Sequence, residues 1–360
     1  MRTRGLLALA LLTLAPAASM AMDRIEVSGD KRGFVRVPSG ESFVPWGFNY
    51  DRDSKSRLIE DYWDAEWDTV EADFREMKDL GANVVRVHLQ FGRFLPEPGK
   101  PDAANLDRLA RLLIVAERLG LYLDLTGLGC YHMADVPAWY DALDEAGRWS
   151  AQAEFWGAVA KVCAGSPAVF CYDLMNEPVV PGGKRAAGDW LGPAFAGKHF
   201  VQVITLDQAG RPRPEIARLW IGAMADAIRK HDKRALVTLG MVDWSLDRPG
   251  LQSGFDVDKV AVRLDFVCVH LYPEAGKLAE NLKTLEAFAV GKPVVIEETF
   301  PMKCSGAEFR AFLEASKATA AGWVGFYWGE TPEELAKKPD IGSAMTRGWL
   351  ETFRAGPPSK

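Results

Sequence analysis

The chain has 360 residues and a formal net charge of −6, long enough for one large barrel or two ordinary domains. That charge argues against a nucleic-acid partner, whose phosphates require a basic face, and no lysine and arginine stripe with interleaved aromatics runs through the sequence. The hydrophobic fraction of 48% is ordinary for a water-soluble core, whereas 12 tryptophans exceed what packing alone calls for.

The first residues, MRTRGLLALALLTLAPAASMAM, give a basic start, a short apolar run and small residues before Ala21. This pattern predicts an export signal over residues 1–21, too short and wrongly flanked for a membrane span. No cysteine lies beside the expected cleavage point, which argues against a lipid anchor. No later run is long and apolar enough to cross a bilayer. Residues 22–43 read as an extension ahead of the first regular unit.

From residue 44 the chain alternates. Apolar, β-branched runs occur at 44–48, 84–89, 121–125, 169–174, 235–239, 266–271, 294–296 and 324–327. None has a clean polar face, the mark of strands buried on both sides in a parallel sheet. Amphipathic helices fall between them. In EWDTVEADFREMKDLG, Val70, Phe74, Met77 and Leu80 share one face and Gly81 supplies the stop. Leu106, Leu109, Leu113, Ala116 and Leu119 repeat the pattern, and further helices fit 148–163, 214–231, 278–289, 306–320 and 343–353, with a short one before Arg263. Eight strand-then-helix units spell an α/β fold, a single-domain (β/α)8 TIM barrel over 44–355, with residues 22–43 closing its base. An open doubly wound sheet calls for a glycine-rich phosphate turn after an early strand, and none is present.

Five cysteines, at 130, 163, 171, 268 and 304, leave at least one without an intramolecular partner. Cys171 and Cys268 lie in apolar strands and read as small core residues, and no CxxC points to a thiolate metal site.

In such barrels chemistry gathers where strands end and the following loops begin. Strand two, VVRVHLQ, puts Arg86 and His88 on one face. Strand four ends in Asn176 and Glu177. Strand six, VCVHLYP, carries His270 and Tyr272, strand seven ends in Glu297 and Glu298, and strand eight leads to Trp328 and Glu330. A lone buried charge can be a satisfied oddity of a core, but convergence of so many at one face needs another reason.

This ordered set resembles glycoside hydrolase family five, within the clan A retaining glycosidases, over about residues 40 to 350. The pairing of Asn176-Glu177-Pro178 after strand four with a carboxylate ending strand seven carries the resemblance. It implies that Glu177 is the acid/base and Glu298 the nucleophile, with Arg86, His88, Asn176, His270, Tyr272 and Trp328 as substrate-binding or supporting residues. It also implies an oligo- or polysaccharide substrate of β-linked gluco- or manno-configuration, no cofactor and no metal. Endo and exo action stay open, as do glucan and mannan. One position departs: where the family closes strand three with histidine, this chain has Thr126, and His132 is the nearest histidine that reaches back.

Hydrolysis with retention needs a proton donor for the leaving oxygen and a nucleophile across the anomeric carbon, about 5–5.5 Å apart. The two roles call for different surroundings: Glu177 is expected to face a carboxylate, and Glu298 to face Arg86. Asn176 is expected on the sugar 2-hydroxyl, Tyr272 on the nucleophile, and Trp328 beneath the sugar ring. Of Trp63, Trp67, Trp139, Trp190 and Trp244, one or two are expected to stack on sugar. The long segment 178–214 is expected to wall the site through Trp190 and Phe195. Alternation lets only one of Glu297 and Glu298 face the mouth without choosing between them; the resemblance implies Glu298, which leaves Glu297 toward the helices or a loop. Two other classes compete: a non-catalytic carbohydrate-binding barrel, which has no need of both carboxylates with Arg86, and a metal-dependent hydrolase, for which five histidines without ligand spacing give little support.

Overall fold

The computed structural model describes residues 22–358; the expected export signal lies outside them. Eight parallel strands close into a barrel: β1 Trp46–Tyr50, β2 Val84–Gln90, β3 Tyr122–Gly129, β4 Val169–Asn176, β5 Val237–Val242, β6 Val267–His270, β7 Val294–Glu298 and β8 Ala320–Phe326. Every residue in them is buried, which accounts for runs with no polar face. Their edges drift from the sequence expectation. β3 continues to Gly129 through Thr126 and Gly127, and β8 begins at Ala320 because Ala320 and Gly322 pair with β7, although Ala320, Ala321 and Gly322 are too small to read as an apolar run.

The helices pack outside. Ala103–Leu119 is capped by Asp102, whose carboxylate accepts from the Asn105 amide, and it ends at Gly120 with φ 64°, a left-handed turn that glycine adopts without penalty. The last helix, Ile341–Arg354, lays Trp349 and Phe353 against Trp46 and Phe48 of β1, stacking the end of the chain on its first barrel strand. On the helix Arg213–Arg229, Leu219 is half exposed, whereas Ile216, Trp220, Ile221 and Met224 are buried.

Residues Arg24–Val27, Phe34–Val37 and Ser42–Phe43 form a small antiparallel sheet. Its Phe34 ring meets Phe170 at 5.2 Å and Phe266 at 5.1 Å, while Phe43 meets Tyr122 at 4.9 Å. These partners stand at the strands' amino ends, so an aromatic cluster fills the base of the barrel. All five cysteines are free and four are buried. Among the described residues no helix is long and apolar enough to cross a membrane.

Candidate active site

At the opposite end lies a cavity of about 420 Å³ whose lining includes Asp51, Glu177, Tyr272, Glu298, Phe300 and Trp328. One carboxylate oxygen of Glu177 comes within 4.8 Å of one of Glu298. Glu177 has φ 47°, a left-handed backbone that residues other than glycine rarely adopt. Its amide donates to the Gly240 carbonyl at 2.9 Å. The strain is thus held by β5 and aims the carboxylate into the mouth, as strained backbone at functional sites commonly does.

Glu298 is gripped from two sides. Arg86 Nη1 donates to Oε1 at 2.7 Å and the Tyr272 hydroxyl donates to Oε2 at 2.6 Å. Burial, then the Glu298 charge, pushes the Tyr272 phenol well above its ordinary range, so it stays a donor. Arg86 has no exposed surface. It also donates to Asn49 at 2.9 Å, Asp173 at 2.7 Å and Asn176 at 3.0 Å. Burial alone disfavours its charge, but Glu297, Asp173 and Glu298 reverse that and raise its pKa well above the usual value. Such a guanidinium meets carboxylates and amides on all sides and leaves no surface for a sugar, so its grouping with substrate-binding residues does not describe this structure.

Strict alternation fails on β7. The pairing runs Val269 to Ile296 and then His270 to Glu298, skipping Glu297 in a bulge, and a bulge re-aims side chains. Both glutamates therefore reach Arg86, Glu298 at 2.7 Å and Glu297 at 3.5 Å. Glu297 points into the barrel interior, not toward the helices. Burial there favours its neutral form, but Arg86 and His270 outweigh it and hold the carboxyl below its ordinary range.

His270 bridges the two levels. Nδ1 lies 3.0 Å from Glu177 and 3.5 Å from Glu298, and Nε2 lies 3.3 Å from Glu297. Burial alone lowers its pKa, yet the carboxylates, Glu298 foremost, raise it to about 10; both nitrogens then donate. Gly240 makes room for this meeting, since a Cβ there comes within 2.9 Å of Arg86, Glu297 and His270 alike. Beneath, burial and the Glu297 charge raise the pKa of Asp124 well above its ordinary range, and the same two causes raise that of Asp173. Two sets of three groups approach metal-ligand spacing, Glu177 with His270 and Glu298, and Asp124 with Asp173 and Glu297. In the first set His270 lies between the two carboxylates, and in the second Asp173 and Glu297 already face Arg86.

The remaining expected residues divide. His88 lines the cavity, with Nδ1 2.6 Å from the Tyr131 hydroxyl and Nε2 3.3 Å from Asn49. Burial, then Arg86, keeps it neutral. Asn176 accepts from Arg86 and donates to the Phe200 carbonyl at 3.1 Å, leaving one N–H toward the cavity. Trp328 lines the cavity, with Nε1 donating to Asp51 at 2.8 Å. Thr126 donates to Asp173 at 2.8 Å within the buried network. His132 does not reach back; it sits 3.9 Å from Asp61, outside the cavity lining.

None of the five loop tryptophans lines the cavity; Phe195, Phe200, Phe300 and Phe326 do. Trp190 is instead buried under Arg148, whose guanidinium lies 4.2 Å from its ring, and anchors the wall that presents Phe195. That wall crosses the rim, because Lys198 Nζ donates to the Ser56 carbonyl at 2.9 Å. Asp51 and Arg52 are cavity residues without a place in the expected set. They directly follow β1, and the signal that finds them is the same strand-end rule applied to the first strand.

The model of the cellulase family, glycosyl hydrolase family 5, matches residues 46–331. This chain belongs to glycosyl hydrolase family 5. No curated protein matches it in sequence. Solved family 5 structures share its fold. An exo-β-1,4-mannosidase from Opitutaceae bacterium strain TAV5 superposes with a TM-score of 0.64 at 20% identity, over 91% of this chain and 61% of that one. This chain therefore spans about three fifths of the Opitutaceae protein. A β-1,4-D-mannanase from Cryptopygus antarcticus gives 0.63 at 15% identity, covering 94% and 98%. A β-mannanase from the blue mussel Mytilus edulis gives 0.60 at 16% identity, covering 94% and 99%.

Proposed function

We propose that this family 5 enzyme is a retaining β-glycosidase that removes terminal manno- or gluco-configured sugars, with Glu298 as nucleophile and Glu177 as acid/base. The observation that carries the reading is the approach of the two carboxylates to within 4.8 Å at the floor of one cavity, close to the separation of about 5–5.5 Å that double displacement needs. Glu298 attacks the anomeric carbon while Glu177 gives its proton to the departing glycosidic oxygen. The covalent glycosyl-enzyme is then opened by water, whose proton returns to Glu177, and two inversions give net retention. Arg86 and Tyr272 orient Glu298 with one donor on each oxygen. As the sugar takes the nucleophile's charge, these donors and His270 stay fixed, so little reorganisation accompanies the step.

Exo action is the reading supported by the Lys198 bridge to Ser56, which ties the wall after β4 to the loop after β1. The manno preference rests on the mannosidase and mannanases that share the fold. We also propose export, supported by the basic, apolar start of residues 1–21.

A 2-deoxy-2-fluoro mannoside or glucoside tests the mechanism, with the adduct located by peptide mass spectrometry on Glu298. Chromatography of products from manno- and gluco-oligosaccharides tests the mode, with monosaccharide as the first product. An adduct on Glu297, or a ladder of mid-sized products, contradicts the respective half.

A further inference from the structure

Arg52 stands apart from the other charged groups of the mouth. Its guanidinium carbon lies 4.5 Å from the centroid of the Trp328 ring, and it lines the same cavity as Glu177 and Glu298. Among the described residues it forms no salt bridge and donates no side-chain hydrogen bond; the adjacent Asp51 feels its charge, but its carboxylate accepts from Trp328 Nε1 instead. Nearby Arg57 shows the contrast. It is paired with Asp53 at 2.8 Å and with Glu66 at 2.6 Å. The other basic side chain of the rim, Lys198, is nearly buried and committed to Ser56. His88, which also lines the cavity, is neutral. Arg52 is therefore the one cation among the lining residues, and its donors are free.

The ring beneath it is fixed. Trp328 Nε1 donates to Asp51 at 2.8 Å, and Phe300 and Phe326 pack against the indole at 5.5 and 5.3 Å. A saccharide that settles against Trp328 meets Arg52 at once. A negative charge on that saccharide is otherwise unwelcome, because Glu177, Glu298 and the buried Asp51 all border the space. A guanidinium fork matches the planar oxygens of a carboxylate and the oxygens of a phosphate or sulfate ester, with two parallel bonds where a neutral hydroxyl takes one.

We propose that Arg52 is the recognition point for a negative charge on the substrate, so that the sugar held against Trp328 carries a carboxylate, phosphate or sulfate. This rests on the glycosidase reading for turnover but not for binding. Arg52 follows β1 directly, and the exo reading places the charge it meets on the terminal sugar.

Two measurements test it. Calorimetry compares mannose with mannose 6-phosphate, and glucose with glucuronate, on the wild-type protein and on Arg52→Ala and Arg52→Lys. The corresponding aryl β-glycosides are assayed in parallel. One anionic sugar is expected to bind at least about tenfold more tightly than its neutral parent, the scale of a charge-assisted pair. Arg52→Ala is expected to cut that preference about ten- to a hundredfold and Arg52→Lys to keep part of it. The phosphate and carboxylate arms distinguish the two sources of charge. Equal or better binding of the neutral parents, no binding on either arm, or a preference that survives Arg52→Ala overturns the proposal. Anionic binding through Arg52 without hydrolysis of any glycoside leaves it standing and overturns the glycosidase reading instead.

Discussion

The two ends of the barrel are built from opposite materials. At the base, Phe34, Phe43, Tyr122, Phe170 and Phe266 meet edge to face, with the Arg36 guanidinium lying over the rings of Phe43 and Tyr122 as the charge beside them. At the mouth, Arg86 and His270 are surrounded by Glu177, Asp173, Glu297 and Glu298. Aromatic burial contributes stability almost irrespective of orientation, whereas buried charges contribute little net stability even when well paired. The difference teaches where each kind of change registers: the base holds the fold, and the mouth holds chemistry that the fold tolerates.

The sharpest way to break this division is Glu298→Gln. Turnover is expected to fall by about four orders of magnitude or more, with melting temperature little changed, as kinetics and calorimetry on one preparation read out. A comparable loss of melting temperature blurs the division. Glu177→Ala comes next. Hydrolysis of unactivated glycosides falls about a hundred- to ten-thousandfold, aryl glycosides with good leaving groups lose far less, and azide restores part of the rate. Equal loss on both substrate types without rescue removes Glu177 from the acid/base role.

His270 joins the two properties. Its folded pKa is raised to about 10 from 6.5, so its contribution to stability is complete below about pH 6.5 and is lost as pH rises toward 10. Glu297→Gln removes one carboxylate partner and should move that loss to lower pH. Melting temperature followed from pH 6 to 10 in both proteins checks this, and coincident curves contradict it. At the base, Phe34→Ala should cost about 3–5 kcal/mol of stability and leave kcat of the folded protein within about twofold. A large fall in kcat there means the base and mouth communicate.

The sequence makes the barrel legible because its strands are buried on both faces, and the bulky apolar residues say so. Runs made of small residues are silent: Ala320 and Gly322 join β8 through backbone pairing alone, which no side-chain pattern reports. Glu177 and Glu298 are legible from their positions at strand ends together with the family resemblance. The reach of Glu297 is not, because period-two alternation assumes an unbroken ladder and the bulge between Val269 and His270 breaks it. The exchange of tryptophan for phenylalanine in the cavity lining has a similar cause. Trp63 and Trp190 are large enough to anchor loops, with Trp63 Nε1 on Asn105 and Trp190 Nε1 on the Asp141 carbonyl, and one sequence does not reveal which way a loop residue turns. Asp51 and Arg52 are set beside Trp328 by barrel closure, which brings β8 next to β1, some 280 residues apart in the chain.

The small sheet at the base also fixes where the described chain starts. Met22 packs with Ile25, Phe34 and Phe43 against the closed end, facing away from the cavity. A tether attached just ahead of Met22 therefore leaves from the pole opposite the mouth. Proteins immobilised on a bead or fused to a carrier through that end present every mouth outward, and a bulky polymer can approach without meeting the support.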